Sequence, residues 1–376
     1  MLHILHLHSS FQPGGKELRS AKLINAFGKG LRHTIVSAEP EALGAAAAID
    51  EGIDVSYPRD FPALNGRPSP ARLQVLAKAM KPFDLVLTYN WGAMDAAMAH
   101  AVFRSFHDLP PLVHHEDGFN EDEADGLKTS RNWYRRLALA RSSALVVPSQ
   151  RLEAIALDVW KQPRGRVALI TNGIPVDAYA KKPPANALPR VVKHQGEYWV
   201  GTLAGLRKVK NLPRLVRAFA PLPEFWQLVI LGQGPELDAI RAEAARLDIT
   251  HRVHLPGFVA DPAKAVGLFD IFALSSDSEQ FPISVVEAMA AGLPVASPDV
   301  GDVRAMIAAE NQEFITPAAD EHALSMTLQK LAGDHDLRSQ IGEANRTRAR
   351  AEYDEAAMVD AYRRVYGAAL GRESFP

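Results

Sequence analysis

The chain contains no cysteine among its 376 residues. Disulfides, thiolate metal sites and a cysteine nucleophile are therefore excluded, and a reducing compartment suits such a composition. No uninterrupted apolar run approaches the roughly 18–20 residues that span a bilayer. The opening residues, Met1-Leu2-His3-Ile4-Leu5-His6-Leu7-His8, lack the basic flank of a signal peptide, and histidines interrupt their apolar pattern. They are expected to form a first buried strand of a cytoplasmic protein, soluble or peripheral on the membrane's inner face. Excess charge of one sign is also missing. The formal net charge of −2 argues against a general nucleic-acid binder, which needs a basic surface to neutralise phosphates.

What is present is a globular composition, 47% hydrophobic and 23% charged, in a chain long enough for two domains of about 150–200 residues. Short apolar runs at 4–7, 33–37, 85–88, 112–115, 144–148 and 166–170 alternate with helical patterns such as 16–29 and 72–80. A second series of runs lies at 198–203, 227–231, 253–255, 271–274, 295–297 and 313–315. Such alternation predicts βαβ units and parallel sheets, an α/β protein. Ala180-Lys181-Lys182-Pro183-Pro184-Ala185-Asn186-Ala187-Leu188-Pro189 continues neither sheet, because proline lacks the ladder donor. Domains are accordingly expected at 1–178 and 190–354, with a last helix from 355 within 355–376. Two open α/β domains of this kind hold a ligand in the cleft beyond the carboxyl ends of their strands.

The richest chemistry lies in Ser278-Glu279-Gln280-Phe281-Pro282-Ile283-Ser284-Val285-Val286-Glu287-Ala288-Met289-Ala290-Ala291-Gly292-Leu293-Pro294-Val295. Two carboxylates eight positions apart flank a helix start, one in the loop and the other about two turns into the helix. Between them the helix N-terminus offers unpaired N–H groups and partial positive charge. A ligand with an anionic middle and hydroxyl-bearing ends fits this arrangement. In a nucleotide-sugar the diphosphate would rest on the amides of Phe281, Ile283 and Ser284, Pro282 having none to give. One carboxylate would accept from sugar hydroxyls and the other from the ribose diol. The plainer reading is an amphipathic helix with an acid in its early turns.

The stretch resembles the E-x7-E signature of GT-B retaining glycosyltransferases of family 4 (group 1), including the Ala-Met-Ala-Ala-Gly-Leu-Pro-Val run. The resemblance extends to Gln12-Pro13-Gly14-Gly15-Lys16-Glu17, Asn172-Gly173-Ile174, Gly232-Gln233-Gly234-Pro235 and His251-Arg252-Val253-His254-Leu255-Pro256-Gly257-Phe258, and so covers nearly the whole chain. It implies two Rossmann-like domains facing across a cleft, with the last helix crossing back to the first domain. It further implies a donor site of Gly14, Gly15, Gly205, Gly234, Phe258, Glu279, Phe281, Pro282, Ile283, Ser284 and Glu287. Glu279 would take the donor sugar and Glu287 the ribose, while Lys210 and Arg207 would neutralise the diphosphate. Relatives usually carry an arginine where Gly205 stands, so either Arg207 substitutes from two residues on or Lys210 works with less help and donor affinity suffers.

In Val113-His114-His115-Glu116-Asp117-Gly118, the family places a histidine just before the glycine, near the reacting sugar. Asp117 holds that position here. His115 is therefore assigned a catalytic place, and His8, His114 and Asp117 the acceptor side; core packing is the plainer reading of His8. The acidic run Asn120-Glu121-Asp122-Glu123-Ala124-Asp125 reads as a solvated loop. No metal or other cofactor is expected, since the GT-B class does not hold its donor through a metal-binding D-x-D. The implied partners are a UDP-, GDP- or ADP-sugar and a glycan or lipid-linked acceptor, with no nucleic acid. Arg131 and the stretch Trp133-Tyr134-Arg135-Arg136-Leu137 suit either a membrane surface or the outer face of an ordinary helix. The implied function is retaining transfer of a sugar, of the hexosyltransferase type. A GT-B nucleotide-sugar epimerase and a non-catalytic nucleotide-sugar-binding protein share the same features.

Overall fold

The structure is a computed structural model and describes residues 1–119, 123 and 126–376. The chain divides into two compact units, Met1–Asn172 with Ala357–Pro376, and Gly173–Ala356. Residues 173–189, including the Pro/Lys-rich stretch, thus belong to the second unit.

The first unit is a seven-stranded parallel sheet in the order β3-β2-β1-β4-β5-β6-β7. Its strands are β1 (Leu2–His8), β2 (Leu31–Ser37), β3 (Asp54–Ser56), β4 (Leu85–Tyr89), β5 (Leu112–His115), β6 (Ala144–Val147) and β7 (Val167–Leu169). Between them run α1 (Gly15–Phe27), α2 (Pro70–Met80), α3 (Met94–His107), α4 (Thr129–Ala138) and α5 (Gln150–Asp158). Alternation along the strands sends Leu5, Leu7, Val86, Leu112 and Leu145 to one face, where α2, α3 and α5 cover them. Ile4, Leu85, Leu87, Val113 and Val146 face the other way, beneath α1 and the last helix, α12 (Glu355–Ala369). The expected return of that helix is therefore present. Met358, Val359, Tyr362 and Tyr366 are its buried residues in the first unit's core.

The second unit has six parallel strands ordered β10-β9-β8-β11-β12-β13. These are β8 (Tyr198–Leu203), β9 (Trp226–Leu231), β10 (Val253–Gly257), β11 (Ile271–Ala273), β12 (Val295–Pro298) and β13 (Ile315–Thr316). On one face α6 (Leu212–Phe219), α7 (Leu237–Arg246) and α10 (Glu321–Gly333) pack on Val200, Leu228, Ile230 and Ala273. On the other, α8 (Ile283–Ala290) packs on Val229, Leu231, Phe272 and Val295. The short α9 (Val303–Met306) and the long α11 (His335–Glu352) complete this unit. In each sheet the strand order reverses beside the first strand, between β1 and β4 and between β8 and β11. Ligands of doubly wound sheets bind at the carboxyl edge of such switch points. Among the described residues, no helix is long and apolar enough to cross a membrane.

Candidate functional site

The candidate donor site occupies the carboxyl edge of the second sheet at its switch point. The loop leaving β8 carries Gly205, Arg207 and Lys210, and the loop leaving β11 carries Ser275 to Pro282. Hydrogen bonds join the two loops. Asp277 N–H donates to the Val209 carbonyl at 2.8 Å, Ser275 Oγ donates to the Lys210 carbonyl at 2.9 Å, and Arg214 pairs with Asp277 at 2.7 Å. Across this seam Lys210 Nζ lies 2.6 Å from Glu279 Oε1, which also accepts from Ser276 Oγ at 2.7 Å. Both members of the ion pair are largely but not fully buried, so solvent screening of it is reduced.

Pro282 caps α8 with an extended ψ, a role its fixed φ permits at a helix start. The amides of Ile283 and Ser284 are among the first of the helix and have no carbonyl four residues back within it. Phe281 and Pro282 turn their side chains into the core, so only their backbone is at the site. One turn along, the buried Glu287 accepts a hydrogen bond from Tyr179 Oη at 3.0 Å. Burial, and next the Glu287 carboxylate, push the Tyr179 phenol well above its ordinary range, so it stays a donor. The second unit thus brings together Lys210, Glu279, Ser284 and Glu287 around one helix N-terminus.

The glycines of this edge have a packing reason. A Cβ on Gly232 would lie 1.8 Å from the Ala204 carbonyl oxygen, and one on Gly234 2.4 Å from that of Leu206. The Gly232-Gln233-Gly234 backbone therefore supports the Lys210 loop from behind, bonded by Leu206 N–H to the Gln233 carbonyl at 2.9 Å. Gly205 is exposed, and the position a Cβ would take there is 3.7 Å from Arg207 Nε. Arg207 hence covers the space into which a side chain at 205 would project. Phe258 stands 66% exposed just after β10, available to a flat ligand group.

In the first unit, Gly14 caps α1 and Gly15 begins it, at the carboxyl edge of β1. A Cβ on Gly14 would come within 2.7 Å of Glu17 Oε2, and Lys16 pairs with that same carboxylate group. The structure buries the three histidines expected at the site. Even-numbered residues of β1 face α1 and α12, so His8 is fully buried, stacked on Tyr89 with ring centroids 4.0 Å apart. His115 is buried beside it and contacts the Thr88 carbonyl at 3.2 Å and Tyr366 Oη at 2.9 Å. Burial, with the Arg19 charge next, pushes its imidazole down to about 3, leaving it neutral with both nitrogens engaged. His114 is buried on the opposite face against Thr88 Oγ1 at 2.8 Å. All three histidine side chains are buried in the first unit.

Asp117 is instead held by Arg19, whose Nη2 donates to Oδ2 at 2.8 Å, and by its own N–H to Asn90 Oδ1 at 2.7 Å. Burial alone would raise this carboxyl, but Arg19 holds it below the usual carboxylate range. Of the acidic run, residues 120–122, 124 and 125 lie outside the described residues. Glu123 is buried and bonded to Arg135 at 2.9 and 3.0 Å, so it is not a solvated acid. Sequence reasoning missed Tyr179, Ser276 and Arg19. Only Ser276 had a local signal, three residues before Glu279.

Two separate doubly wound parallel sheets, with an anion-suited helix start between paired carboxylates in the second, define an α/β protein of the GT-B class. The family model Glycosyltransferase Family 4 matches residues 4–178, and the model Glycosyl transferases group 1 matches residues 187–348. The chain belongs to the family 4, group 1 glycosyltransferases. It is 24% identical over 243 residues to the N-acetyl-alpha-D-glucosaminyl L-malate synthase of Bacillus anthracis, a match covering 64% of each chain. It is 27% identical over 244 residues to the phosphatidyl-myo-inositol mannosyltransferase of Mycobacterium leprae, covering 63% of this chain and 60% of that protein. The chain thus spans under two thirds of the length of these curated relatives. In fold it is similar to Anabaena Alr3699/HepE, solved in complex with UDP, with a TM-score of 0.80 at 18% identity over 98% of this chain and 100% of that one.

Proposed function

We propose that the protein transfers a sugar from a nucleotide-sugar to a hydroxyl of a glycan or lipid-linked glycan, with retention at the anomeric carbon. The observation that carries this reading is the Lys210–Glu279 pair at the loop that leads into α8, with Tyr179-bonded Glu287 one turn into that helix. Lys210, Arg207 and the amides of Ile283 and Ser284 stabilise the charge that grows on the diphosphate as its bond to the anomeric carbon breaks. The acceptor oxygen bonds that carbon on the same face and gives its proton to the departing phosphate. Glu279 orients the sugar through its hydroxyls, and Glu287 accepts from the ribose diol. Arg207 takes the place of the arginine that relatives carry at position 205. Asp117, held by Arg19, orients the acceptor.

The names of the relatives support a hexose or N-acetylhexosamine donor, and UDP in the HepE structure supports UDP as the first nucleotide to try. A relative from Campylobacter jejuni, 29% identical over 164 residues, is named for transfer to a diphospho-undecaprenol glycan, which favours a cytoplasmic place beside lipid-linked acceptors in polysaccharide assembly. Side-chain cations and helix amides supply the positive charge, so the reaction needs no metal. The test is NMR of the product formed from an α-linked nucleotide-sugar, with and without EDTA. The expected product is α-linked, at an unchanged rate in EDTA. A β-linked product refutes retention, and loss of turnover in EDTA refutes the metal-free reading. Conversion of the donor sugar without an acceptor identifies an epimerase, and binding without turnover a non-catalytic binder.

A further inference from the structure

The second unit holds a polar cavity of about 240 Å³ at the amino edge of its sheet, the edge away from the donor site. Asp270 and Pro294, which stand just before β11 and β12, line it together with Gly292 after α8 and the first turns of α11. Four of the described lining side chains are basic, Lys182, His335, Arg338 and Arg346, and Asp270 is the one acid among them. That acid is already matched, since its Oδ2 accepts from Lys193 Nζ at 2.6 Å and from the Trp199 amide at 2.7 Å. The cations keep unused donors. Arg338 is buried against Tyr198 and Trp226, 5.2 and 5.3 Å from their ring centres, and among the described residues only its Nη1 is bonded, to the carbonyls of Leu331 at 2.7 Å and Ala332 at 3.0 Å. Arg346 lies flat against Gly292, where a Cβ would collide with the guanidinium. Its Nη1 pairs with Glu343 at 2.7 Å and its Nη2 donates to the Ala291 carbonyl at 3.1 Å, while Nε is buried without a hydrogen-bond partner. Lys182 is exposed and has no ion pair among the described residues. Of the nearby acids on α11, Asp334 accepts from the Leu337 amide at 2.9 Å and Asp336 lies 3.4 Å from His335.

We propose that this cavity is an effector site for a small sugar phosphate, separate from the donor site and coupled to it. Guanidinium forks and an ammonium group match the oxygens of a phosphomonoester, which carries about −1.5 to −2 charges at neutral pH. Asp270, held through Oδ2, keeps Oδ1 for a ligand hydroxyl, and Ser339 lines the same space. The volume falls below the roughly 300–1,000 Å³ of pockets that take drug-sized ligands, so a monosaccharide phosphate fits and a whole nucleotide-sugar does not. Coupling follows from two shared parts. Tyr179 lines the cavity and donates from Oη to Glu287 at 3.0 Å, and α8 runs from the donor site to Ala291, whose carbonyl Arg346 holds. An occupant that draws Arg346 to its phosphate or contacts Tyr179 changes how Glu287 is held, a step that rests on the assignment of Glu287 to the ribose.

The test is calorimetric titration of the full chain with glucose 6-phosphate, inorganic phosphate and glucose, on the wild type, on Lys182→Ala/Arg346→Gln and on Lys210→Ala. Glucose 6-phosphate is expected to bind the wild type more tightly than phosphate does, and glucose is expected not to bind. The double variant should weaken the sugar phosphate by about tenfold or more, whereas Lys210→Ala should leave it unchanged. Where the double variant lowers the thermal midpoint, Lys182→Glu alone, on an exposed side chain, carries the comparison. Absence of glucose 6-phosphate binding overturns the proposal, as does equal binding by the Lys182 variants or by glucose. Binding lost in Lys210→Ala would place the phosphate at the donor site and equally overturn it. Saturating glucose 6-phosphate is expected to change the affinity for the bound nucleotide by about fivefold or more, and an unchanged affinity overturns the coupling. A chain that binds glucose 6-phosphate through Lys182 and Arg346 but binds no nucleotide upholds the cavity site and refutes the donor-site reading instead.

Discussion

Lys210→Ala is expected to lower kcat for sugar transfer by about 10²–10³-fold, the loss typical when a preorganised stabiliser of developing charge is removed. Lys210 is held in place before any ligand arrives. Its carbonyl is bonded by Ser275, and its ammonium lies 2.6 Å from Glu279. Because the diphosphate gains charge as the glycosidic bond breaks, the lysine acts more strongly on the transition state than on the bound donor. The loss should therefore fall on kcat, with a smaller rise in KM. Arg207 remains in the variant and, as a proposed diphosphate ligand, is expected to limit the damage to donor binding. A near-normal kcat, measured with a thermal midpoint close to wild type, would remove Lys210 from the chemistry.

The first unit is expected to be acid-labile. His6, His8, His33, His100 and His115 are buried or nearly so, and burial as the largest cause lowers each of them, His33 and His100 to about 4 and His115 to about 3. The native state keeps them neutral, whereas an unfolded histidine takes up a proton near pH 6.5. Between those values the unfolded state binds more protons, so stability rises with pH. The contribution is fully present above about pH 6.5 and is lost as pH falls below it, by about 1.4 kcal/mol per pH unit for each histidine. Acting together, such groups can consume a typical folding stability of about 5–15 kcal/mol within about two pH units. Urea unfolding followed by fluorescence should give a much lower midpoint at about pH 5 than at about pH 7.5. Equal midpoints would mean that the imidazoles are not held neutral.

How legible all this was depends on the sequence distance over which each feature is built. Glu279, Pro282 and Glu287 lie on one loop and helix, so their spacing alone places a helix N-terminus between two carboxylates. Strands β5 and β8 stand where their apolar runs end, at Leu112–His115 and Tyr198–Leu203. The three-residue β3, Asp54–Ser56, has no apolar run to mark it and was not foreseen. Nor did spacing reveal Tyr179, which meets Glu287 across 108 residues of chain, or Arg19, which meets Asp117 across 98. The burial of the histidines was not legible for a physical reason. A strand-end histidine reads the same whether its face meets solvent or a helix, and the face of His8 and His115 meets α1 and α12, the second arriving from the far end of the chain. The nearness of Arg207 to Gly205, 3.7 Å from the position a Cβ would take there, was likewise not legible from spacing.

The account turns on Glu287 as the carboxylate that reads the nucleotide's ribose, held for that role by Tyr179. Calorimetric titration of the wild-type chain with UDP, GDP and ADP, repeated on Glu287→Gln and Tyr179→Phe, tests it directly. One nucleotide should bind the wild type. Glu287→Gln should weaken that binding by about 10–100-fold, the equivalent of a charge-assisted hydrogen bond of about 1.5–3 kcal/mol. Tyr179→Phe should weaken it less, because the carboxylate remains but loses its orienting donor. Binding of no nucleotide, or equal affinity in wild type and Glu287→Gln, would contradict the assignment of this edge of the second sheet as the donor site.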